Sequence, residues 1–365
     1  MQYVKEKYTR ARDWYEHNEQ KVSTGSILTG FVVDSLTLQR IDALRENLWI
    51  LLNLTLVGTC IVLLNRTEEG GVDASEVKRH FWLWTILQFG FGALLGTFFI
   101  FYFRSATLAT SWPFLLMLLL AMVANELFQK KVARLTFQIS FYYLALLLFA
   151  VFLVPVVIKH IGPWTFILSG LVSLVALALF LKLLKSFAYE SFRRSKQALK
   201  YTITAIYMGI NILYFTNVIP PVPLSIKDAG VYHSLSRGAG NSYIVGVEDK
   251  SFFDHFRLRE RFHQSGSKTV YAYSAIFSPA SLNTSIIHEW QYQGADGEWR
   301  TASRIPLSVS GGRSDGFRTY SQKEGITAGL WRVNVATIRG QLIGRISFRV
   351  VETDTPPSIE LKVKD

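Results

Sequence analysis

Six long apolar runs constrain the fold of this chain more than any other feature. Each run is about as long as the 17 to 25 residues that an α-helix needs to cross the hydrocarbon core of a bilayer. The runs are Leu48–Asn65, Phe81–Phe103, Ala106–Asn125, Ile139–Ile158, Trp164–Leu184 and Tyr201–Ile219. From Pro220 to Asp365 the sequence has ordinary polarity and short strand-like patterns. The chain is therefore predicted to be an α-helical polytopic membrane bundle followed by one extramembrane domain.

The distribution of cations predicts a further span at Val22–Leu38, a weaker run of 17 residues interrupted only by Asp34. If this run crosses, one side of the membrane holds 17 Lys and Arg residues, in the segments 1–21, 66–80, 128–137 and 182–200. The other side holds four, namely Arg40, Arg45, Arg104 and Lys159. Because cytoplasmic loops are enriched in Lys and Arg, this split predicts about seven spans with a cytoplasmic N-terminus and a non-cytoplasmic C-terminal domain.

The acid at position 34 leaves another interpretation open. Asp34 at a helix centre costs about 2.5 to 3.5 kcal/mol on insertion scales, so Val22–Leu38 could instead form an interfacial or re-entrant helix. As an intramembrane acid, Asp34 is also a candidate for an ion or proton path, and Glu126 is the second candidate for such a polar site. The nearby Arg40 and Asp42 favour a structural ion-pair cluster for Asp34.

Glycines in the second apolar run predict close helix packing. Gly92 and Gly96 form a small-xxx-small pattern, and Gly90 precedes them on the same run. Glycines at this spacing let a neighbouring helix approach closely. We therefore predict a packing role for these residues rather than a ligand site.

Three prolines, Pro220, Pro221 and Pro223, set the domain boundary, because they prevent a helix from continuing and favour an extended connector. The predicted domains are a cytoplasmic segment at 1–21, the helical bundle at 22–219, a proline-rich linker at 220–230 and the non-cytoplasmic domain at 231–365.

The net charge of +12 is explained by membrane topology without a nucleic-acid partner. Six of the cations lie in Lys182–Lys200, where they alternate with apolar side chains. Such a segment is expected to lie along the inner leaflet and to attract anionic lipids.

The C-terminal part is predicted to be an all-β, immunoglobulin-like sandwich of about seven strands, because short β-branched and aromatic runs alternate with turn signals. The predicted strands are Tyr243–Val247, Thr269–Phe277, Ser285–Tyr292, Trp299–Val309, Phe317–Tyr320, Leu330–Ile338 and Gln341–Val351. Whether Phe252–Phe262 holds a short helix stays open.

The last hairpin can be analysed residue by residue, because a two-residue turn at Arg339-Gly340 would fix its register. Trp331, Val333 and Val335 then face Phe348, Ile346 and Gly344 on the core side, with Thr337 opposite Leu342. The other side brings together Arg332, Arg345 and Arg349. This face is either solvated and paired with carboxylates or an anion site for phosphate, carboxylate or an acidic glycan. In the preceding hairpin, Tyr292 is predicted to pair with Trp299 on the core side.

No catalytic, cofactor-binding or metal-binding residues are predicted. The seven His residues lack the HxxxH and HExxH spacings, and the sequence contains no GxSxG, GxxxxGK[ST] or CxxC motif. An enzyme whose active site is assembled from scattered residues stays open.

Several segments resemble the bacterial domain-of-unknown-function family numbered 2914, in its form with an N-terminal membrane part. In the C-terminal part these are Gly329–Val335, Gly340–Val350, Ile287–Trp290 and Phe317–Ser321. In the membrane part they are Phe31–Leu38, Ser111–Phe114, Asn125-Glu126 and Ile219–Ser225. The resemblance implies a β-rich C-terminal domain on a bacterial membrane protein, and no activity to carry over onto any residue.

These patterns together predict a multi-pass protein of the bacterial inner membrane. Its periplasmic β-sandwich is expected to bind an envelope component, either a partner protein or an anionic glycan or lipid. The alternative is a transporter or a membrane-embedded lipid- or glycan-modifying enzyme whose active path lies in the helical bundle.

Overall fold

A computed structural model of the chain describes residues 44–70, 74–127, 134–238, 240, 242–249, 260–266, 269–279, 283–310 and 316–364. These residues contain six helices followed by eleven strands. The predicted span at Val22–Leu38, including Asp34, lies outside the described residues. A helical bundle followed by a β-rich region is therefore confirmed, whereas the predicted number of spans is not.

The helices are α1 (Leu44–Gly70), α2 (Ala74–Ser105), α3 (Leu108–Leu127), α4 (Leu135–Ile158), α5 (Pro163–Phe187) and α6 (Tyr189–Phe215). Within the described residues, α1, α2, α4 and α5 contain the four segments that are long and apolar enough to cross a membrane. The apolar part of α3, Thr110–Asn125, is shorter. Helix α6 begins at Tyr189 rather than Tyr201, because the cation-rich sequence before position 201 is itself helical. Most of Lys182–Lys200 thus extends α5 and α6.

Within α2, the close approach to a neighbouring helix occurs at Gly90 rather than at Gly92. A Cβ atom added at Gly90 would lie 2.5 Å from Cγ2 of Val57 on α1, whereas one added at Gly92 would meet nothing within 4 Å. The predicted packing role is therefore confirmed for Gly90 and was wrong for Gly92. Helices α1 and α4 are also joined by a buried hydrogen bond of 2.9 Å from Nδ2 of Asn65 to Oε1 of Gln138.

The strands are β1 (Ser225–Tyr232), β2 (Ser234–Arg237), β3 (Tyr243–Glu248), β4 (Glu260–Gln264), β5 (Val270–Phe277), β6 (Asn283–Gln293), β7 (Trp299–Ser310), β8 (Phe317–Lys323), β9 (Gly329–Thr337), β10 (Leu342–Glu352) and β11 (Ile359–Lys364). They form a middle sheet with the order β1-β5-β8, a five-stranded sheet with the order β4-β10-β9-β6-β7, and an outer sheet with the order β11-β3-β2.

The three sheets form three layers, because the middle sheet is apolar on both faces. Successive side chains of a strand point to opposite sides, so alternate residues of β5 serve two cores. Val270 and Ala272 pack with Trp290, Val333 and Phe348 of the five-stranded sheet. Tyr271, Tyr273 and Ala275 pack with Tyr243 and Val245 of the outer sheet. Because both sides of the middle sheet are buried, the sequence of β5 forms one nearly continuous apolar run.

This arrangement corrects the predicted strand list. All seven predicted strands are present, but β1, β2, β4 and β11 were missed, and β4 pairs parallel to β10. The β-rich character is confirmed, whereas an immunoglobulin-like order is not. The segment left open at Phe252–Phe262 ends in β4, and its residues 252–259 lie outside the described part of the chain.

The proline-rich connector is part of the domain rather than a free linker. Helix α6 ends with Asn217 in the left-handed region, at φ 60°, where the Val218 N–H donates to the Leu213 carbonyl at 2.9 Å. Leu224 is fully buried in an apolar cluster with Ile276 and Val335. The first strand then begins at Ser225, inside the predicted linker 220–230.

Candidate functional site

The strand register at the candidate site agrees with the prediction over most of the last hairpin. Trp331 pairs with Phe348 and Val333 with Ile346, and all four side chains are buried. The connection is a three-residue loop, because the Thr337 N–H donates to the Gln341 carbonyl at 2.9 Å. Gly340 has a φ of 84°, as the left-handed position of such a loop requires. The predicted Thr337–Leu342 pair was therefore wrong, and Leu342 pairs with Ala336 beside a bulge.

The opposite side of this hairpin belongs to the outer face of the five-stranded sheet, which we call the arginine face. It is formed by outward side chains of β6, β7, β9 and β10. Its members are Glu289, Gln291, Trp299, Thr301, Arg304, Arg332, Asn334, Arg345, Ser347 and Arg349.

Arg332 is held in place by two contacts on this face. Its Nε donates a hydrogen bond of 2.7 Å to Oε1 of Gln291. Its guanidinium carbon lies 4.1 Å from the centre of the Trp299 ring, which is a stacked cation–π geometry. This hydrogen bond uses Nε and does not occupy the two terminal nitrogens, which in a guanidinium group can donate to a planar anion.

Trp299 reaches the arginine face because of an irregularity that the sequence did not reveal. A register shift between Trp290 and Gln291 makes Tyr292 pair with Arg300, and Trp299 pairs with Gln293. The predicted pairing of Tyr292 with Trp299 on the core side was therefore wrong. The stacking partner of Arg332 was missed for this reason.

Arg345 lies beside Arg332 and is held in the same way. Its Nε donates a hydrogen bond of 2.7 Å to Oδ1 of Asn334. Asn334 in turn donates through Nδ2 to Gln291 at 3.1 Å and to Glu289 at 3.2 Å. The two arginines are thus positioned by one shared amide network.

The carboxylate of Glu289 is already committed to other partners on the arginine face. Oε1 of Glu289 accepts from Nε of Arg304 at 2.9 Å and from the Thr301 hydroxyl at 3.1 Å. Burial raises the pKa of Glu289, but hydrogen bonds from Asn334, Arg304 and Thr301 outweigh it, so the pKa is lowered. Glu289 therefore stays ionised and chiefly neutralises Arg304.

Burial disfavours the positive charge of the two central arginines, whereas the charge of Glu289 favours it. Burial, followed by the charge of Arg345, lowers the pKa of Arg332 to about 10. Burial also lowers the pKa of Arg345. Both guanidinium groups remain charged at neutral pH, although their surroundings disfavour the charge. Two partly desolvated cations side by side are typical of an anion site.

Arg349, the third predicted arginine, does not share the amide network of Arg332 and Arg345. It is exposed, and it pairs with Arg261 of β4 in the parallel ladder. The structure therefore brings Arg332 and Arg345 together through Asn334 and Gln291, and places Arg349 with Arg261 at the neighbouring position.

Two other polar clusters in this region have structural roles. His288 is fully buried, with ring nitrogens 2.8 Å from the Ser274 hydroxyl and 2.9 Å from the Ser321 hydroxyl. Burial lowers the pKa of His288 to about 4, so the ring is neutral. The side chains of Ser274 and Ser321 are buried as well.

The second cluster centres on Glu248, whose carboxylate accepts the backbone N–H of His263 at 2.6 Å. The rings of His233 and His263 contact the same carboxylate at 2.7 and 2.6 Å. Burial raises the pKa of Glu248, but these hydrogen bonds outweigh it, and the pKa is lowered. The cluster joins β3 to β4. Within the described ranges, no group of three His, Cys, Asp or Glu residues is placed to hold a metal ion.

The intramembrane candidates are described only in part. Asp34 lies outside the described residues, and of Glu126 only the backbone, in the last turn of α3, is described. Some described polar residues of the bundle bond to the backbone of their own helix. Nδ2 of Asn53, for example, donates to the Trp49 carbonyl at 2.9 Å within α1.

Comparison with known proteins supports the resemblance in the C-terminal region. No curated protein matches the chain. A similar solved structure is described as "Pseudomonas fluorescens alkylpurine DNA glycosylase AlkC bound to DNA containing an abasic site analog". It covers 82% of this chain and 96% of its own, at 10% identity and a TM-score of 0.22, a likeness too slight to indicate a shared fold. Residues 283–350, which include β6, β7, β8, β9 and nearly all of β10, match the family model "Protein of unknown function (DUF2914)".

Proposed function

We propose that this protein is a multi-pass protein of the bacterial inner membrane whose periplasmic β domain binds an anionic envelope component at the arginine face. The ligand group would be a carboxylate or phosphate of a glycan, lipid or partner protein. The observation that carries the proposal is the pair Arg332 and Arg345, fixed through Nε on one amide network and partly desolvated. Preorganised guanidinium groups suit planar anions, because they can donate two parallel hydrogen bonds.

The predicted topology is part of this proposal. With Val22–Leu38 as a further span, the cation-rich segments lie in the cytoplasm and the β domain lies in the periplasm. One compact unit groups the strands with residues 102–114 and 154–165, which contain Arg104 at the end of α2 and Lys159 just after α4. This grouping supports the assignment of the strands to the cation-poor side.

The cations of Lys182–Lys200 would then contact anionic lipids at the inner leaflet. These residues occupy the end of α5 and the start of α6. Arg193 lies 3.7 Å from Glu190, and both side chains are largely exposed. Such a surface ion pair contributes little, so Arg193 can exchange its partner for a lipid phosphate.

Binding is tested with the intact protein in mild detergent and acidic probes. The probes are a glucuronate-containing oligosaccharide, its neutral counterpart, and nanodiscs with and without phosphatidylglycerol. Arg332→Gln and Arg345→Gln should each weaken binding of the preferred acidic probe by about tenfold or more, since a hydrogen bond to a charged group contributes about 1.5 to 3 kcal/mol. Wild-type binding should also weaken with added salt.

The matched control is Arg237→Gln, which removes an exposed arginine from β2 of the outer sheet. It changes the net charge equally and should leave binding unchanged. Equal losses for Arg237→Gln and Arg345→Gln would mean that binding depends on net charge alone. Failure of every acidic probe to bind would contradict an anion site at this face.

A further inference from the structure

Strand β11 is an edge strand of the outer sheet in the described part of the chain. Among the described residues, β11 pairs only with β3, and it ends the sheet order β11-β3-β2. The Asp249 N–H donates to the Ser358 carbonyl at 3.2 Å. Because bonding positions alternate along an antiparallel strand, the even-numbered residues of β11 direct their backbone groups to β3. The N–H and C=O groups of Ile359, Leu361 and Val363 therefore point away from the sheet.

The same three residues carry exposed apolar side chains. Ile359 is 45% exposed, Leu361 67% and Val363 59%. Native edge strands are ordinarily protected by charges, prolines or bulges, since an unprotected edge pairs with other strands. An edge with three regularly spaced backbone sites and an apolar side is suited to accept another strand.

The sequence of β11 is complementary to itself in one antiparallel register. With Leu361 opposite Leu361 of a second copy, Glu360 lies opposite Lys362 and Ile359 lies opposite Val363. The Glu360–Lys362 and Ile359–Val363 pairs each occur twice, and the Leu361 pair lies on the two-fold axis. In this register the hydrogen-bonded positions are those of the odd-numbered residues, which are the ones with outward backbone groups. Opposite charges and apolar pairs across strands each contribute about 0.2 to 1 kcal/mol.

We propose that the outer sheet is a homodimerisation surface, in which β11 of one copy pairs antiparallel with β11 of a second copy about Leu361. The two outer sheets then form one continuous six-strand sheet. The contact is isologous, as two-fold symmetry requires, because the same residues meet from both sides. Glu360 and Lys362, which lie 3.1 Å apart within one strand, exchange partners across the axis. This surface is separate from the arginine face and does not depend on the function proposed for it.

Cysteine cross-linking of the full chain in mild detergent tests the register. In a Cys60→Ala background, Leu361→Cys places two thiols at the two-fold axis. A hydrogen-bonded antiparallel pair has a Cα separation of about 5.5 Å, which a disulfide can bridge. Mild oxidation should therefore give covalent dimers of Leu361→Cys. Val363→Cys is the matched control, because this exposed residue lies on the same side of the strand but far from its symmetry mate.

Charge exchange provides the independent test, with dimerisation measured by sedimentation. Glu360→Lys and Lys362→Glu each place like charges opposite one another twice, and each should raise the dimer dissociation constant about tenfold. The combination Glu360→Lys with Lys362→Glu restores opposite charges and should restore the wild-type constant.

Three results would overturn the proposal. One is a monomeric wild-type protein at every concentration tested, and another is equal cross-linking of Leu361→Cys and Val363→Cys. The third is a Leu361→Cys adduct with a different chain, which would assign the edge to a heteromeric partner.

Discussion

At the scale of single residues, the alternation of side chains along β9 and β10 separates folding from binding. Trp331 and Phe348 face each other in the core between the five-stranded and middle sheets. Arg349 is exposed on the opposite side of the same hairpin. Side chains on the core side of a strand therefore affect stability through burial, and side chains on the opposite side act through electrostatics.

This separation gives the first prediction. Trp331→Ala or Phe348→Ala should lower the free energy of unfolding of the β domain by about 3 to 5 kcal/mol, because a large aromatic side chain is removed from a packed core. Arg349→Glu should change it by less than about 1 kcal/mol, because surface charges contribute little. Pulse proteolysis of the full chain in increasing denaturant measures both. A large loss with Arg349→Glu would show that this side chain is not on the solvent side.

The buried imidazole of His288 gives a pH prediction. Above pH 6.5 the ring is neutral in the folded and unfolded states, whereas below it the unfolded chain binds a proton that the folded chain, with a pKa of about 4, does not. The free energy of unfolding should therefore fall by on the order of 3 kcal/mol as the pH drops through this interval. His288→Gln, which cannot titrate, should lack this loss while being less stable at neutral pH. If the free energy of unfolding fell equally with pH in the wild-type protein and in His288→Gln, a neutral buried ring would be contradicted.

The arginine face illustrates which residue-level features could be predicted from the sequence. Arg332 and Arg345 could be placed together, because strand alternation fixes the side of every residue once the hairpin is located. Trp299 could not, since the register shift after Trp290 moves it from the core side to the arginine face. A bulge arises from tertiary packing and leaves little local signal.

At the scale of elements, the space around each glycine of α2 determines whether a larger side chain fits there. Gly90→Val should destabilise the bundle, because any Cβ atom at this position overlaps Val57. Gly92→Val should be nearly neutral, since the space around Gly92 is open. Thermal unfolding in detergent, followed by helical circular dichroism, compares the pair. Equal midpoints for the two variants would rule out the close approach of α1 and α2 at Gly90.

Elements with a long apolar pattern were predicted correctly. Strands that depend on tertiary contacts were missed. The helices were recognised from their length and apolarity, although the charged start of α6 was not. Strand β1 contains Asp228 and Gly230, which are both disfavoured in strands, and it is held by pairing with β5. Strand β11 has exposed side chains throughout most of its length, so its pattern lacks a buried side.

At the scale of the whole molecule, two compact units correspond to the two kinds of sequence. Apolar helices dominate one unit, while all eleven strands belong to the other, together with the helix ends at 102–114 and 154–165. Composition alone predicted a helical part followed by a β-rich part, because the change in polarity at Pro220 is abrupt. The three-layer order of the sheets was not predictable in this way, since it depends on which strands pair across long stretches of sequence.

The location of the β domain relative to the membrane tests the proposed topology and the proposed ligand together. Alkaline phosphatase, which becomes active outside the cytoplasm, and green fluorescent protein, which fluoresces inside it, would each be fused after Asp365. We expect an active phosphatase and a dark fluorescent protein. An inactive phosphatase with a bright fluorescent protein would place the arginine face in the cytoplasm and contradict both the topology and the proposed envelope ligand.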